Sequence, residues 1–371
     1  MTNRPAPTRI AIYLHTLHNG GVERVMFNLI QGFLDHGIAV DLVLDYLIYS
    51  PFEKLIPAGA RLVKLDVRSS SQRLTKLIGY LRERRPDALM SATHMANEVA
   101  CVARMCSGSK TRLIVSEHTN LSSDIADSSG RMRRNVLPFT TRWLYPLADA
   151  IVAVSNGVAD DMCRVSGLAR RRVQTIYNPI DFEGLAALAK EPLNEPWFSP
   201  GEPPVVLAIG RMETQKNFPN LLYAFAELRR MRPARLLILG EGSQRERLTA
   251  LVAELGLEAD VSLPGFVTNP AAYMARSAVF ALASSWEGMP VALIEALSLG
   301  VPVVSTDCPS GPAEILAGGA YGDLVPMNDS AALAEAIERV LCGAKKSAPA
   351  EWLAQFDAKT ITERYLELMS S

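Results

Sequence analysis

Two carboxylates, Glu287 and Glu295, stand eight positions apart in WEGMPVALIEALSLGVPVVSTDCPSGPAEIL. The apolar run between them predicts a helix opening at Pro290, since proline is pre-organised for a first helical turn. Glu287 then sits in the loop ahead of the helix, and Glu295 lies about a turn and a half inside it. At helical spacing the neighbours of Glu295 are Val291, Ala292, Ser298 and Leu299. A carboxylate in so apolar a setting needs hydrogen-bond donors, which ribose hydroxyls would supply. The free N–H groups at the helix start, by Gly288, Met289 and Pro290, would receive phosphate oxygens or sugar hydroxyls.

A second constellation is AIGRMETQKNF, which sets Arg211 and Lys216 just past an apolar strand. Breaking a sugar–phosphate bond leaves negative charge on the diphosphate, and fixed cations stabilise it without a metal. Arginine supplies a planar fork and lysine a point charge. Two glycine loops follow strands in the same manner: HNGGVERV with Gly20 and Gly21, and LGEGSQRE with Gly240 and Gly242. Such glycines admit close approach of a ligand to the backbone, although neither loop has the GxGxxG dinucleotide spacing and ordinary turns use the same residues.

These residues need strands to carry them. From Arg9 the chain alternates apolar runs with amphipathic stretches: RIAIYL, the helix VERVMFNLIQGFLDHG ended by Gly37, IAVDLVL, RLVKL, ALMSA, RLIVSE and AIVAVS. After LNEPWFSPGEPP, which reads as a linker or domain edge, a second series runs VVLAIG, RLLILG, VSLPG, VFALAS and VPVVST with helices between. The alternation predicts an α/β fold of two Rossmann-like domains with parallel sheets, facing across a cleft lined by strand carboxyl ends. The expected division is 1–183 and 184–371, with AEWLAQFDAKTITERYLELM, about 351–371, a terminal helix that packs back on the first domain.

With 371 residues, 49% hydrophobic and a net charge of −1, the chain suits two globular domains and offers no global field for nucleic acid. Five cysteines without CxxC or Cys/His spacing predict neither a disulfide framework nor a structural metal. No signal peptide or run of eighteen apolar residues is visible, so a cytoplasmic protein is expected.

With these motifs in order, the sequence resembles glycosyltransferase family four, the retaining GT-B group. The match runs from the HNGG loop to STDCPSGPAEI, and its most specific part is the Glu-x7-Glu motif, here EGMPVALIE, joined to GRMETQKN, LGEG and PGFVTNP. The resemblance implies that Arg211 and Lys216 hold the donor diphosphate, Glu295 the ribose and Glu287 the transferred sugar. Phe266 and Val267 would lie beside the nucleobase, with Gly21 facing the phosphates. It also implies His94 of SATHMAN near sugar and acceptor, with His118 of SEHTN beside Glu117 as the other candidate; His15 and His18 receive no role. Implied too are a metal-independent reaction with retained anomeric configuration and no cofactor beyond the nucleotide-sugar substrate, which family members commonly use as a UDP conjugate of a hexose or N-acetylhexosamine. The acceptor hydroxyl would attack on the leaving-group face, its proton passing to the departing phosphate.

SEHTN and STDCPSGP look like the motif forms of bacterial surface-polysaccharide and oligosaccharide enzymes, so a glycan or glycolipid acceptor is expected. GRMRRNVLPFTTRWLYPL, with Arg131, Arg133, Arg134 and Arg142 among Leu137, Phe139 and Trp143, suits peripheral contact with an anionic membrane, or a packed helix with one solvated basic face. A nucleotide-sugar epimerase of the same fold and a catalytically silent nucleotide-sugar-binding scaffold are the alternative readings.

Overall fold

The computed structural model describes residues 6–17, 20–47, 50–127 and 131–370; the side chains of Pro51, Ser70 and residues 131–135 fall outside the description. Short apolar runs such as Ile10–Leu14 are buried at every position, the pattern of parallel strands covered on both faces. The chain forms two compact units, residues 1–180 with 355–371, and residues 181–354.

In the first unit the strands are β1 Arg9–Leu14, β2 Ala39–Leu44, β3 Arg61–Lys64, β4 Ala88–Ala92, β5 Arg112–Glu117, β6 Ala150–Ala153 and β7 Val173–Thr175. They pair in parallel in the order β3-β2-β1-β4-β5-β6-β7. In the second unit β8 Val205–Ile209, β9 Arg235–Leu239, β10 Val261–Gly265, β11 Val279–Leu282, β12 Val303–Thr306 and β13 Asp323–Val325 form the parallel order β10-β9-β8-β11-β12-β13. Strand order reverses between β1 and β4 in one sheet and between β8 and β11 in the other. Ligands of open α/β sheets bind beyond the strand carboxyl ends at such switch points. The candidate residues cluster at both.

Three features depart from the sequence reading. Chain crossing falls after Ile180, so LNEPWFSPGEPP lies inside the second unit, where Arg235 stacks over Trp197 at 5.2 Å and Phe198 meets Tyr273 edge-on. Aromatic burial outweighs the turn-rich composition there. The stretch from Ala350 is not one helix: Ala350–Leu353 ends in a 3-10 turn, and Ala358–Ser370 starts anew. Asp357 makes the break, pairing with Ile180 as an isolated bridge while its carboxylate accepts from Lys359 N at 3.0 Å. The second of these helices belongs to the first unit, where Ile361 and Tyr365 are buried. Finally, the helix after the GMP turn begins at Val291, with Pro290 as its extended capping residue.

Candidate active site

In the second unit, the loops after β8 and β11 are joined across the switch point. Lys216 Nζ lies 2.5 Å from Glu287 Oε1, and Ser284 Oγ donates to the same oxygen at 2.6 Å. Gln215 Nε2 donates to Trp286 O at 2.9 Å, and Ser285 N to Gln215 O at 2.8 Å. β12 anchors the second loop through Thr306 Oγ1, which donates to Ser284 O at 2.7 Å. Glu287 is buried and Lys216 half-buried. The carboxylate and burial together push the neighbouring Cys308 thiol well above its usual pKa, burial being the larger cause. That thiol is therefore held neutral.

Glycines let the loops interlock. Gly240 has φ +135, and a Cβ added there would meet Gly210 O at 2.0 Å. Gly210 N donates to Leu239 O and Met212 N to Glu241 O, at 3.0 and 2.8 Å. The backbone carrying Arg211 is thus laid directly on the LGEG loop. Arg211 itself is exposed. Burial opposes ionisation of adjacent Glu213, but hydrogen bonds from Ser243 and the Arg211 charge outweigh it and hold the carboxyl below its ordinary range. Gly265, next to Phe266 and Val267, accepts from Gly240 N at 2.8 Å, which ties the PGFVTNP loop to the same set. Both of those side chains are half-buried.

The GMP turn is fixed from below by a residue that sequence reasoning missed. Gly311, at φ +97, packs so closely that a Cβ would meet Pro290 Cδ at 2.6 Å and Gly288 O at 3.0 Å. A glycine ahead of Pro312, in SGPAE, was the available signal. Gly288, Met289 and Glu295 are buried, Glu295 on the flank of the helix Val291–Ser298. This unit therefore brings Arg211, Lys216, Glu287, Glu295, Gly240, Phe266 and Val267 to one end of its sheet, with a cation and a carboxylate already paired.

In the first unit, the helix Gly21–Asp35 follows β1, capped by Gly20, whose N–H donates to Glu23 Oε2 at 3.0 Å. An added Cβ at Gly21 would meet nothing within 4 Å. His18 lies outside the described residues. His15 is anchored, its Nδ1 sitting 2.7 Å from Asp45 Oδ2, and the buried Asp45 also accepts from Tyr13 OH at 2.7 Å.

After β4, His94 opens the helix His94–Ser107 from Thr93, which has φ +79. Its ring is enclosed by acids: Nε2 is 2.9 Å from Glu98 Oε1, and Nδ1 is 3.7 Å from Glu117 Oε2 and 3.1 Å from Tyr145 OH. Tyr145 OH donates to Glu117 at 2.7 Å, and Asn97 Nδ2 reaches both Tyr145 OH and Ser116 O. Burial disfavours the imidazolium, but hydrogen bonds to Glu117 and Glu98 outweigh it and raise the His94 pKa to about 9. His94 is a fixed cation at neutral pH. His118 behaves oppositely: burial lowers its pKa to about 4 despite Glu117, leaving a neutral ring 3.0 Å from Ser116 Oγ. Glu98, Asn97 and Tyr145 were not singled out from sequence. Only the i to i+4 spacing of Glu98 from His94 pointed to one of them.

Among the described residues no group of three His, Cys, Asp or Glu side chains is placed to hold a metal ion, and no helix is long and apolar enough to cross a membrane.

Known proteins resemble this chain in sequence and fold. Residues 19–183 match the family described as Glycosyltransferase Family 4, and residues 189–350 match Glycosyl transferases group 1. The N-acetylgalactosamine-N,N'-diacetylbacillosaminyl-diphospho-undecaprenol 4-alpha-N-acetylgalactosaminyltransferase of Campylobacter jejuni is 31% identical over 348 residues, 90% of each chain. A second Campylobacter jejuni enzyme, a GalNAc-alpha-(1->4)-GalNAc-alpha-(1->3)-diNAcBac-PP-undecaprenol alpha-1,4-N-acetyl-D-galactosaminyltransferase, is 27% identical over 350 residues, covering 90% of this chain and 89% of that one. Among solved structures, Anabaena HepE in complex with UDP-glucose superposes with a TM-score of 0.79 at 21% identity, over 97% of this chain and 98% of that one. With a glycosyltransferase family model matched in each unit and a relative above 30% identity along nine-tenths of the chain, this protein belongs to glycosyltransferase family 4 and has the two Rossmann-like domains of the GT-B fold.

Proposed function

We propose that this glycosyltransferase moves a hexose or N-acetylhexosamine from a UDP-sugar to a glycan or lipid-linked saccharide, with retention and without a metal, in bacterial surface polysaccharide or oligosaccharide synthesis at the inner face of the cytoplasmic membrane. The observation that carries this reading is the Lys216–Glu287 pair at the β8/β11 switch point, beside Arg211. A diphosphate arriving there competes with Glu287 for Lys216, so the leaving group recruits the cation and the carboxylate turns to the sugar. Arg211 and Lys216 stabilise the departing phosphate, while Glu287 orients the sugar and favours positive charge at its ring. The acceptor oxygen attacks the anomeric carbon on the leaving-group face, and the phosphate oxygen takes its proton. Glu295 receives ribose hydroxyls, and the Phe266–Val267 loop flanks the base. In the first unit, His94 supplies a fixed positive charge towards sugar and acceptor, with neutral His118 as the other candidate for that role. The lipid-linked acceptor is supported by the undecaprenol-linked substrates of the two Campylobacter relatives, and the UDP donor by the HepE complex.

Thermal stability with UDP, GDP, ADP and their sugar conjugates tests the donor, because a ligand of the folded state must raise it. A UDP-specific shift lost in Glu295→Ala supports the reading, no shift with any nucleotide or conjugate overturns the donor assignment, and a shift without turnover against a broad acceptor panel leaves a silent scaffold. Consumption of donor without acceptor, yielding an epimerised sugar, overturns transfer.

A further inference from the structure

The helix Arg131–Leu144 has two unlike faces. Leu137 and Thr141 are buried in the first unit, Leu137 with only 2% of its surface exposed. On the opposite side, at spacings of three and four, Val136, Phe139 and Trp143 are 45%, 63% and 60% exposed, and Leu147 of the following turn continues the stripe at 44%. Phe139 and Trp143 lean on each other, ring centroids 6.1 Å apart. Leu137, read from sequence as part of the surface-active set, belongs to the core; Val136 and Leu147 take its place.

Cations border this stripe. Arg142 is exposed on the same helix, its Nη1 3.3 Å from Ser166 O. Arg172, from the Arg170–Arg172 turn, reaches Pro146 O at 3.5 Å, next to Leu147, and Arg171 is exposed beside it. The acids of the adjoining helix Asn156–Ser166 are already engaged: Asp160 accepts from Arg170 at 2.7 Å, and Asp161 pairs with Arg164. Arg142, Arg171 and Arg172 thus keep their positive charge at the surface, and Arg131, Arg133 and Arg134 precede them in sequence.

We propose that this face docks on an anionic lipid bilayer, with Phe139 and Trp143 seated at headgroup depth and the arginines on lipid phosphates. Size separates a lipid from a protein partner. Four partly exposed side chains offer roughly 400 Å², judged from the area large apolar side chains bury, about half of what one partner contributes to a standard protein interface. Aromatic rings ringed by arginine instead match the interfacial layer of a membrane, where apolar insertion and attraction to anionic headgroups add together. The inference deepens the lipid-linked acceptor reading by naming the surface that meets the membrane carrying it. The binding itself needs no glycosyl transfer.

Flotation of the full chain with phosphatidylcholine vesicles, with and without about a third phosphatidylglycerol, tests this at low and high salt. Binding is expected to anionic vesicles at low salt and to weaken as salt rises. Phe139→Ala with Trp143→Ala should lower partitioning at least tenfold. Arg171→Gln with Arg172→Gln should lower it by about fivefold per arginine and flatten the salt dependence. Each variant should keep the wild-type melting temperature and nucleotide-induced shift, so loss of binding cannot come from unfolding, and failure of the donor assignment would show separately. No binding to anionic vesicles at low salt, or binding unchanged by both double variants, overturns the proposal. So does concentration-dependent self-association abolished by Phe139→Ala with Trp143→Ala, which would make the stripe a contact between copies.

Discussion

Lys216 and Glu287 are 71 positions apart in the chain and 2.5 Å apart in the fold. Sequence reasoning gave them separate tasks, one on phosphate and one on sugar, and the sheet topology makes them partners. Each is the handle by which the other is positioned before a ligand arrives.

Removing one partner therefore has two consequences. Lys216→Ala leaves the buried Glu287 carboxylate to the Ser284 hydroxyl, and a broken buried pair is destabilising; the residual exposure of Lys216 reduces the expected cost to about 2 kcal/mol. Glu287→Gln keeps shape and hydrogen bonding, so stability should change little while turnover falls about 10²- to 10³-fold, the usual effect of deleting one electrostatic contributor to a transition state. Chemical denaturation beside turnover of donor separates the effects; wild-type turnover in both variants would sink the assignment.

Gly240→Ala places a Cβ 2.0 Å from Gly210 O in a backbone conformation of φ +135. Backbone must move, and a loss of about 2–4 kcal/mol is expected, with weaker nucleotide binding because the displaced strand end carries Arg211. Gly21→Ala meets nothing within 4 Å and should leave the melting temperature of the unliganded protein unchanged. Equal melting temperatures for both variants would contradict the packing described.

The two histidines shape the pH profile in opposite senses. The folded pKa of His94 lies above the unfolded value of 6.5, at about 9. Its contribution, on the order of 3 kcal/mol, is full below pH 6.5 and lost as pH rises towards 9. His118 has a folded pKa of about 4, so its neutral form favours folding above pH 6.5 and that contribution is lost as pH falls towards 4. Urea denaturation across this range should give maximal stability near pH 6.5. His94→Gln should flatten the alkaline limb and His118→Gln the acid limb; unaltered limbs would show that these rings do not titrate as described.

The terminal helix can be tested through a single contact. A Cβ on Gly32 would lie 2.2 Å from Thr362 Oγ1, a buried hydroxyl that has no hydrogen-bond partner among the described residues. Gly32→Ala should cost about 2 kcal/mol as overpacking, and Thr362→Ala should recover part of it, leaving a coupling of about 1 kcal/mol in a double-mutant cycle. Strict additivity would place Ala358–Ser370 elsewhere.

Of the thirteen strands among the described residues, eleven were legible as apolar runs. β7 and β13, three residues each at sheet edges, were not, because an edge strand paired on one side needs little apolar sequence. The EGMPVALIE, GRMETQKN and LGEG motifs marked the residues of the second unit, since local spacing around a strand end and a helix start is itself sequence information. In the first unit, SATHMAN and SEHTN marked two histidines without their charge states. Those depend on burial and on Glu117, which the next strand brings in, with Glu98 of the same helix added at His94.

What the sequence by itself determined is the alternation of buried strands and amphipathic helices and the segments that carry polar chemistry, which follow from periodicity and short-range spacing, and the family, which its ordered motifs resemble. Only the tertiary structure decided that Lys216 faces Glu287, that Gly311 supports the GMP turn, that Leu137 turns inward while Phe139 turns out, and that His94 is charged while His118 is neutral. Burial, close packing and the strength of an ion pair depend on which atoms surround a group, and those atoms are brought in by strands and helices far away along the chain.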